Sequence, residues 1–184
     1  MFSRLMNKQF FVVLLVLLLQ VSSCTSSKTI QYENIPLQRA QIELAEAQLL
    51  DIGILIFDPN LPKEEQELIF PEVRKAEARY MPYHLKTTLE DTGFWGGIWV
   101  LPEKSEAMDL IVSGRVEISN GLKVAVRIGV WDITGREWIN KVYETTVPQS
   151  AYSKRRDHTQ DPYQNLYNKI SNDLLEIKNL LSLA

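Results

Sequence analysis

Between Leu110 and Val130 the sequence alternates apolar and polar residues with a period of two, interrupted once at Asn120-Gly121. Leu110, Val112, Gly114, Val116 and Ile118 alternate with Ile111, Ser113, Arg115 and Glu117. Leu122, Val124, Val126, Ile128 and Val130 then alternate with Lys123, Ala125, Arg127, Gly129 and Trp131. Successive side chains of a strand point to opposite faces, so two such runs around Asn-Gly predict an antiparallel hairpin with one buried face and a two-residue turn. Asp132-Ile133-Thr134-Gly135 predicts a further turn, and Glu137 to Val147 a third meander strand ended by Pro148. A meander with one apolar face cannot stand alone; something amphipathic must cover it.

Three segments have the character of covers. Leu37 to Leu50 is rich in helix formers, with Ala40, Leu44, Ala47 and Leu50 at helical spacing. A second helix is predicted from Pro71 to a C-cap at Gly93, with Val73, Ala76, Tyr80, Leu85 and Leu89 on one face and Glu72, Arg74, Lys75, Glu77 and Arg79 on the rest. Pro82 removes one backbone donor inside it, which predicts a kink or two shorter helices. The third opens at Asp161-Pro162-Tyr163-Gln164, close to a capping box, and runs Tyr163, Leu166, Tyr167, Ile170, Leu174, Ile177 and Leu181 along one stripe, with Lys169, Asp173, Glu176 and Lys178 facing out. Ile52 to Phe57, a continuous apolar run, suits a buried central strand, and Gly97 to Leu101 a short strand ended by Pro102. Asn60 to Ile69, with its acidic cluster, and Pro148 to Gln160 read as solvated loops. The expected fold is α/β, α+β-like: a mixed sheet with an antiparallel meander covered by amphipathic helices, in two or three layers and in the order α-β-α-β-β-β-β-α.

The beginning of the chain is of another kind. Arg4 and Lys8 precede the run Phe10 to Leu19, and small residues follow to Cys24. A basic start, a short apolar core and a small-residue end describe a secretory signal peptide. Val21-Ser22-Ser23-Cys24 resembles the lipobox of bacterial lipoproteins. That resemblance implies cleavage before Cys24, a diacylglycerol on its sulfur and acylation of the new amino terminus. Two or more acyl chains give stable membrane anchoring where one does not. Thr25 stands where an Asp would favour inner-membrane retention, so the resemblance points to the outer membrane, periplasmic face. An ordinary cleaved signal with a spare thiol, or an uncleaved anchor, are the competing readings of the same residues. The expected organisation is residues 1–23 signal peptide, 24–36 lipidated cysteine and polar tether, and 37–184 one periplasmic domain.

Composition narrows the function. The 184 residues are 45% apolar and 23% charged with a net charge of −3, and loss of the two basic signal residues takes this to −5. There is no basic footprint for nucleic acid. One cysteine excludes an internal disulfide framework and any multi-cysteine metal site. His84 and His158 are the two histidines, and neither accompanies a nucleophile-elbow or zinc-helix motif. His158 with Asp157 and Asp161 could sketch a metal site, though a solvated loop explains them as well. No metal, no cofactor and no catalytic residue is expected.

Two surface candidates remain. Phe94-Trp95-Gly96-Gly97-Ile98-Trp99 concentrates aromatic residues of the kind that dominate binding hot spots. Phe94, Trp95 and Trp99 are a candidate partner or glycan surface; alternatively Trp99 is core and Trp95 caps the helix-to-strand turn. Lys154-Arg155-Arg156 could touch phospholipid headgroups or an acidic partner, or simply be solvated.

The order of elements over residues 50–180 resembles periplasmic lipoprotein domains of the penicillin-binding-protein-activator, curli-secretion and Tol–Pal-propeller N-domain type, with local echoes at Ile52-Gly-Ile-Leu-Ile-Phe-Asp58, Leu89-Glu-Asp-Thr-Gly-Phe-Trp95 and Asp109-Leu-Ile-Val-Ser-Gly-Arg115. This is a likeness of architecture and transfers no site residue. The expectation for function is a non-catalytic, lipid-anchored scaffold or activator that binds another envelope protein. The alternatives are a glycan- or lipid-acting enzyme or carrier, which predicts a pocket holding a histidine beside carboxylates, and a self-assembling secretion component.

Overall fold

The structure is a computed structural model and describes residues 34–61, 70–146 and 161–182. Five strands form one mixed sheet: β1 (Ile52–Leu55), β2 (Ile98–Leu101), β3 (Leu110–Ser119), β4 (Lys123–Asp132) and β5 (Glu137–Thr146), in the spatial order β2-β1-β3-β4-β5. β1 runs parallel to both β2 and β3, whereas β3, β4 and β5 form the antiparallel meander. Two helices, α1 (Pro71–Glu90) and α2 (Gln164–Ser182), pack on one face. The fold is therefore α/β with a mixed sheet, in two layers among the described residues.

The core lies between the helices and that face. Ile52, Ile54, Leu110, Val112, Val116, Val124, Val126, Ile128 and Val130 meet Ala78, Met81, Leu85 and Leu89 of α1 and Leu166, Tyr167, Ile170 and Leu174 of α2 in one cluster. The period-two pattern of β3 and β4 supplies seven of its buried residues. At the hairpin, Asn120 is not in the left-handed region and the loop has three residues instead of two. Gly121 alone takes a positive φ, of 79°. The Asn120 side chain explains this, since its Oδ1 accepts from the backbone N–H of both Leu122 and Lys123. Leu122 consequently sits exposed in the loop and not on the core face.

The helix expected over Leu37–Leu50 is absent. Residues 34–50 are extended, with one 3₁₀ turn at Glu46–Gln48. Helix propensity is a weak prior when no partner buries the apolar stripe, and a stronger set of bonds competes. Asn165, Asn168 and Asn172, spaced three and four apart along α2, grip the extended backbone. Asn165 Oδ1 accepts from Ile35 N–H at 3.1 Å, Asn168 Nδ2 donates to Ile35 O at 2.7 Å, and Asn172 both accepts from Gln38 N–H at 3.0 Å and donates to Pro36 O at 2.9 Å. Ile35 and Pro36, read as the end of a tether, are thus fastened to the body.

Pro82 does not break α1, which is one helix of 20 residues. Without an N–H at Pro82 the carbonyl of Ala78 has no partner four residues on. Phe57 N–H fills that vacancy with a 3.1 Å bond to Ala78 O, so the proline docks the end of β1 to the helix. The buried stripe runs through Arg74, Ala78, Met81, Leu85 and Leu89, which leaves Val73 and Tyr80 exposed, contrary to their expected place on the core face. Arg74 is correspondingly buried, its guanidinium donating to Val116 O at 3.0 Å. The helix ends as expected, with Gly93 at a φ of 69° and Thr92 Oγ1 donating to Leu89 O at 2.6 Å. Asp161 caps α2 by accepting from Tyr163 N–H at 2.7 Å.

Candidate binding surface

The aromatic run that the sequence offers as a surface is split by the structure. Trp95 is 6% exposed and belongs to the core, and Phe94 packs against that core. Trp99 is the one that meets solvent, at 44% exposure, on the sheet face opposite the helices. The alternative reading, with Trp99 as core, has the two tryptophans reversed. The cause is register: Ile98 pairs with Ile52 on the helix-covered face, so its neighbour Trp99 pairs with Gly53 on the other.

Around Trp95 the cover is unusual. Lys178, expected to face out, is 9% exposed. Its Nζ lies 4.8 Å from the Trp95 ring centroid and donates to Phe94 O at 2.6 Å. Burial pushes the Lys178 ammonium below its ordinary range. Among the described residues the indole N–H of Trp95 has no hydrogen-bond partner.

Among the described residues no helix covers the second sheet face. Its residues form a cross-strand row: Trp99 pairs with Gly53, Gly53 with Ile111 and Ile111 with Trp131. Both indoles lie flat. A Cβ built on Gly97 would stand 1.8 Å from Cη2 of Trp99, and one on Gly129 2.2 Å from Cη2 of Trp131, so each ring lies over the glycine two residues before it. The segment from Pro102 to Asp109 must return from the end of β2 to the start of the parallel β3. It crosses this face, placing Met108 over Gly53. Between this return loop and the β4–β5 turn lies a groove of about 640 Å³, lined by Lys104, Glu106, Met108, Ile111, Trp131 and Ile133 among others. Lys104 Nζ stands 5.6 Å from the Trp131 ring centroid, and Ile133 is 70% exposed.

The wall of the groove is rigid where Asp132 anchors the turn. Hydrogen bonds from the Thr134 hydroxyl at 2.6 Å and the Trp138 indole at 3.0 Å, with backbone N–H groups of Thr134 and Arg136, hold its carboxyl down to about 2. At the same end of the sheet Asp51 Oδ1 accepts from Gly97 N–H at 2.6 Å and Asp109 Oδ2 accepts from Asp51 N–H at 2.8 Å, which locks the starts of β1, β2 and β3 together. Trp131 as a site residue escaped the sequence reading. A partial signal was present: Gly-x-Trp occurs three times, at Gly93-Phe94-Trp95, Gly97-Ile98-Trp99 and Gly129-Val130-Trp131, and in the last two the tryptophan stands in an expected strand.

The histidine reading finds a partial counterpart. His84 Nε2 is 3.5 Å from Asp161 Oδ2, and the ring contacts Tyr80 and Tyr167. It lines a cleft of about 330 Å³ with Arg39, Thr87, Thr88, Asp91 and Gln164. Both threonine hydroxyls there are engaged: Thr87 donates to Tyr83 O at 3.1 Å and Thr88 accepts from Gln164 at 3.0 Å. Cys24, the Lys154-Arg155-Arg156 cluster, Asp157 and His158 lie outside the described residues. Among the described residues no helix is long and apolar enough to cross a membrane, and no three His, Cys, Asp or Glu side chains are grouped to hold a metal.

No family model matches the chain, and no curated protein does. Some solved structures match it at low similarity. A dodecamer of a PelC variant from Paraburkholderia phytofirmans is 13% identical, with 77% of this chain and 94% of that chain covered and a TM-score of 0.46. The hypothetical protein CT253 from Chlamydia trachomatis is 9% identical over 73% of this chain and 99% of that one, with a TM-score of 0.37. A neuraminyllactose-binding hemagglutinin homolog from Helicobacter pylori is 10% identical over 83% and 97%, with a TM-score of 0.36.

Proposed function

We propose that this protein is a lipid-anchored, non-catalytic binding component of the bacterial envelope. In this reading acyl chains on Cys24 hold it to the periplasmic face of the outer membrane, and the helix-free sheet face meets its partner. The observation that carries the binding role is the pair of flat-lying tryptophans, Trp99 and Trp131, on that face beside the groove. Apolar ring surface left facing water, as at Trp99 and at the uncovered part of Trp131, gains from being desolvated against a partner. The anchor rests on Val21-Ser22-Ser23-Cys24 behind the apolar run. The partner is another component of the envelope.

The test has two parts. Cys24→Ser should abolish acyl labelling and leave an unprocessed or soluble product; membrane recovery at mature mass would refute lipidation. The double variant Trp99→Ala, Trp131→Ala, made in full-length chain and present in normal amount, should lose the envelope crosslinks that the natural chain forms. An unchanged crosslink pattern would remove the face from the argument. The competing reading, an enzyme or carrier acting on glycan or lipid, draws on the His84–Asp161 pair in its cleft. It requires that His84→Gln, and not the tryptophan variants, destroy function.

A further inference from the structure

The groove beside Trp131 has a chemistry of its own, and on the binding role proposed above we infer that its ligand is a pyranose ring of a neutral glycan. Four features of the groove support this. Its aromatic wall is a ring face, since Trp131 lies flat over Gly129. Pyranoses offer a patch of C–H bonds on one face of the ring, and an indole face is the natural counterpart, the carbon-bound hydrogens meeting the negative π cloud. The rim is polar with both signs, Lys104 and Glu106 flanking Ser105 on the return loop, as a ligand bearing hydroxyls that both donate and accept requires. The volume of about 640 Å³ falls in the range of small-ligand sites. Finally, the platform is fixed in advance, because the strand and its glycine hold the indole without a ligand, so little side-chain freedom is lost on binding.

Other ligand classes fit less well. An acyl chain would be met by the lysine and glutamate of the rim. A phosphate or other polyanion would find Lys104 as the one cation of the lining among the described residues, with Glu106 and Asp132 against it. Asp132 is itself committed to Thr134 and Trp138 and is not free to pair with a cationic ligand. Lys104, which stands over Trp131 in the free protein, can move aside on its flexible stem and donate to a hydroxyl.

The experiment uses the full-length lipidated protein in a sugar-free detergent, titrated with chitohexaose and cellohexaose as neutral probes, a chitosan hexamer as a cationic one and an oligogalacturonate as an anionic one, with calorimetry as the readout. Saturable binding of a neutral hexamer is expected, insensitive to salt. Trp131→Ala should weaken it about tenfold or more. Gly129→Ala keeps the indole but forces it off the sheet, and should also weaken binding about tenfold, with Trp131→Phe intermediate. Should Trp131→Ala fail to fold, Gly129→Ala and Trp131→Phe carry the test, the second keeping an aromatic face of smaller area. Binding confined to the anionic or the cationic probe, no saturable binding of either neutral one, or natural affinity in Gly129→Ala would overturn the assignment. If the neutral glycans fail while the double tryptophan variant still loses its envelope crosslinks, the face is a protein-binding surface and the glycan alone is excluded. If both fail, the binding face itself is wrong.

Discussion

On one face of the sheet Ile52, Val112, Ile128 and Val130 are sealed beneath α1 and α2; on the other Ile111 and Trp131 are half-buried and Trp99 is open to water. The same strands supply both sets by strict alternation, so the difference lies in what is laid on top. The helices contribute Met81, Leu85, Leu166 and Ile170 to the first face, close-packed and dry. The return loop after β2 contributes Met108 and Lys104 to the second and leaves a groove. One face stabilises the fold, and the other keeps apolar area that stability does not use. Glycine marks the contrast within the sheet. Gly114, on the covered face, makes room for the buried ring of Phe57, while Gly97 and Gly129, on the open one, are floors for the indoles of Trp99 and Trp131.

That contrast can be broken by paired substitutions. The largest effect is expected from Leu85→Ala, which should lower stability by about 2–5 kcal/mol in urea unfolding because a fully buried side chain leaves a cavity. Trp99→Ala should cost no more than about 1 kcal/mol in the same measurement. Equal losses would show that the open face is a second core. A smaller difference separates two identical changes. Gly114→Ala places a methyl about 2.4 Å from the Phe57 ring and should cost about 1–3 kcal/mol, whereas Gly53→Ala meets the Cδ1 ends of Leu101 and Ile111 and the Cγ of the flexible Met108, which can yield, and should cost about 1 kcal/mol or less. Reversal of that order would overturn the assignment of the faces.

The smallest effect sharpens the groove wall. The Asp132 carboxyl titrates at about 2 in the fold against an ordinary 3.8. A carboxyl depressed on folding stabilises above its unfolded value, so this contribution should be lost as pH falls from about 4 towards 2. The thermal midpoint should therefore drop further between pH 5 and pH 2.5 in the natural chain than in Asp132→Asn. Equal drops would mean that the turn bonds do not favour the charged form.

Much of the fold was legible because it rests on local pattern. The meander follows from period-two alternation, the start of α2 from Asp161-Pro162, and the end of α1 from Gly93. What misled was propensity without context. Leu37 to Leu50 has the composition of a helix, but the asparagines that fasten its beginning, through Ile35, Pro36 and Gln38, come more than a hundred residues later. Pro82 predicted a kink or two shorter helices because the acceptor it frees has no visible partner in the sequence; Phe57 supplies a donor only once β1 lies against the helix. Lys178 was assigned to solvent by type, yet the end of α2 lies against Trp95 and Phe94. Of the candidate surface, Trp99 was legible as an aromatic within a short strand, but its face was not, and Trp131 passed as one more position of an alternating strand.

The sequence by itself determined which residues share a face, because the pleat of a strand and the turn of a helix fix the direction of each side chain relative to its neighbours. Which of two apolar-capable faces would be sealed was decided only by tertiary structure. Both carry large apolar residues, and the choice depends on where α1 and α2 pack and on the path of the loop between two parallel strands. Those are contacts between residues distant in the chain, and no local periodicity encodes them.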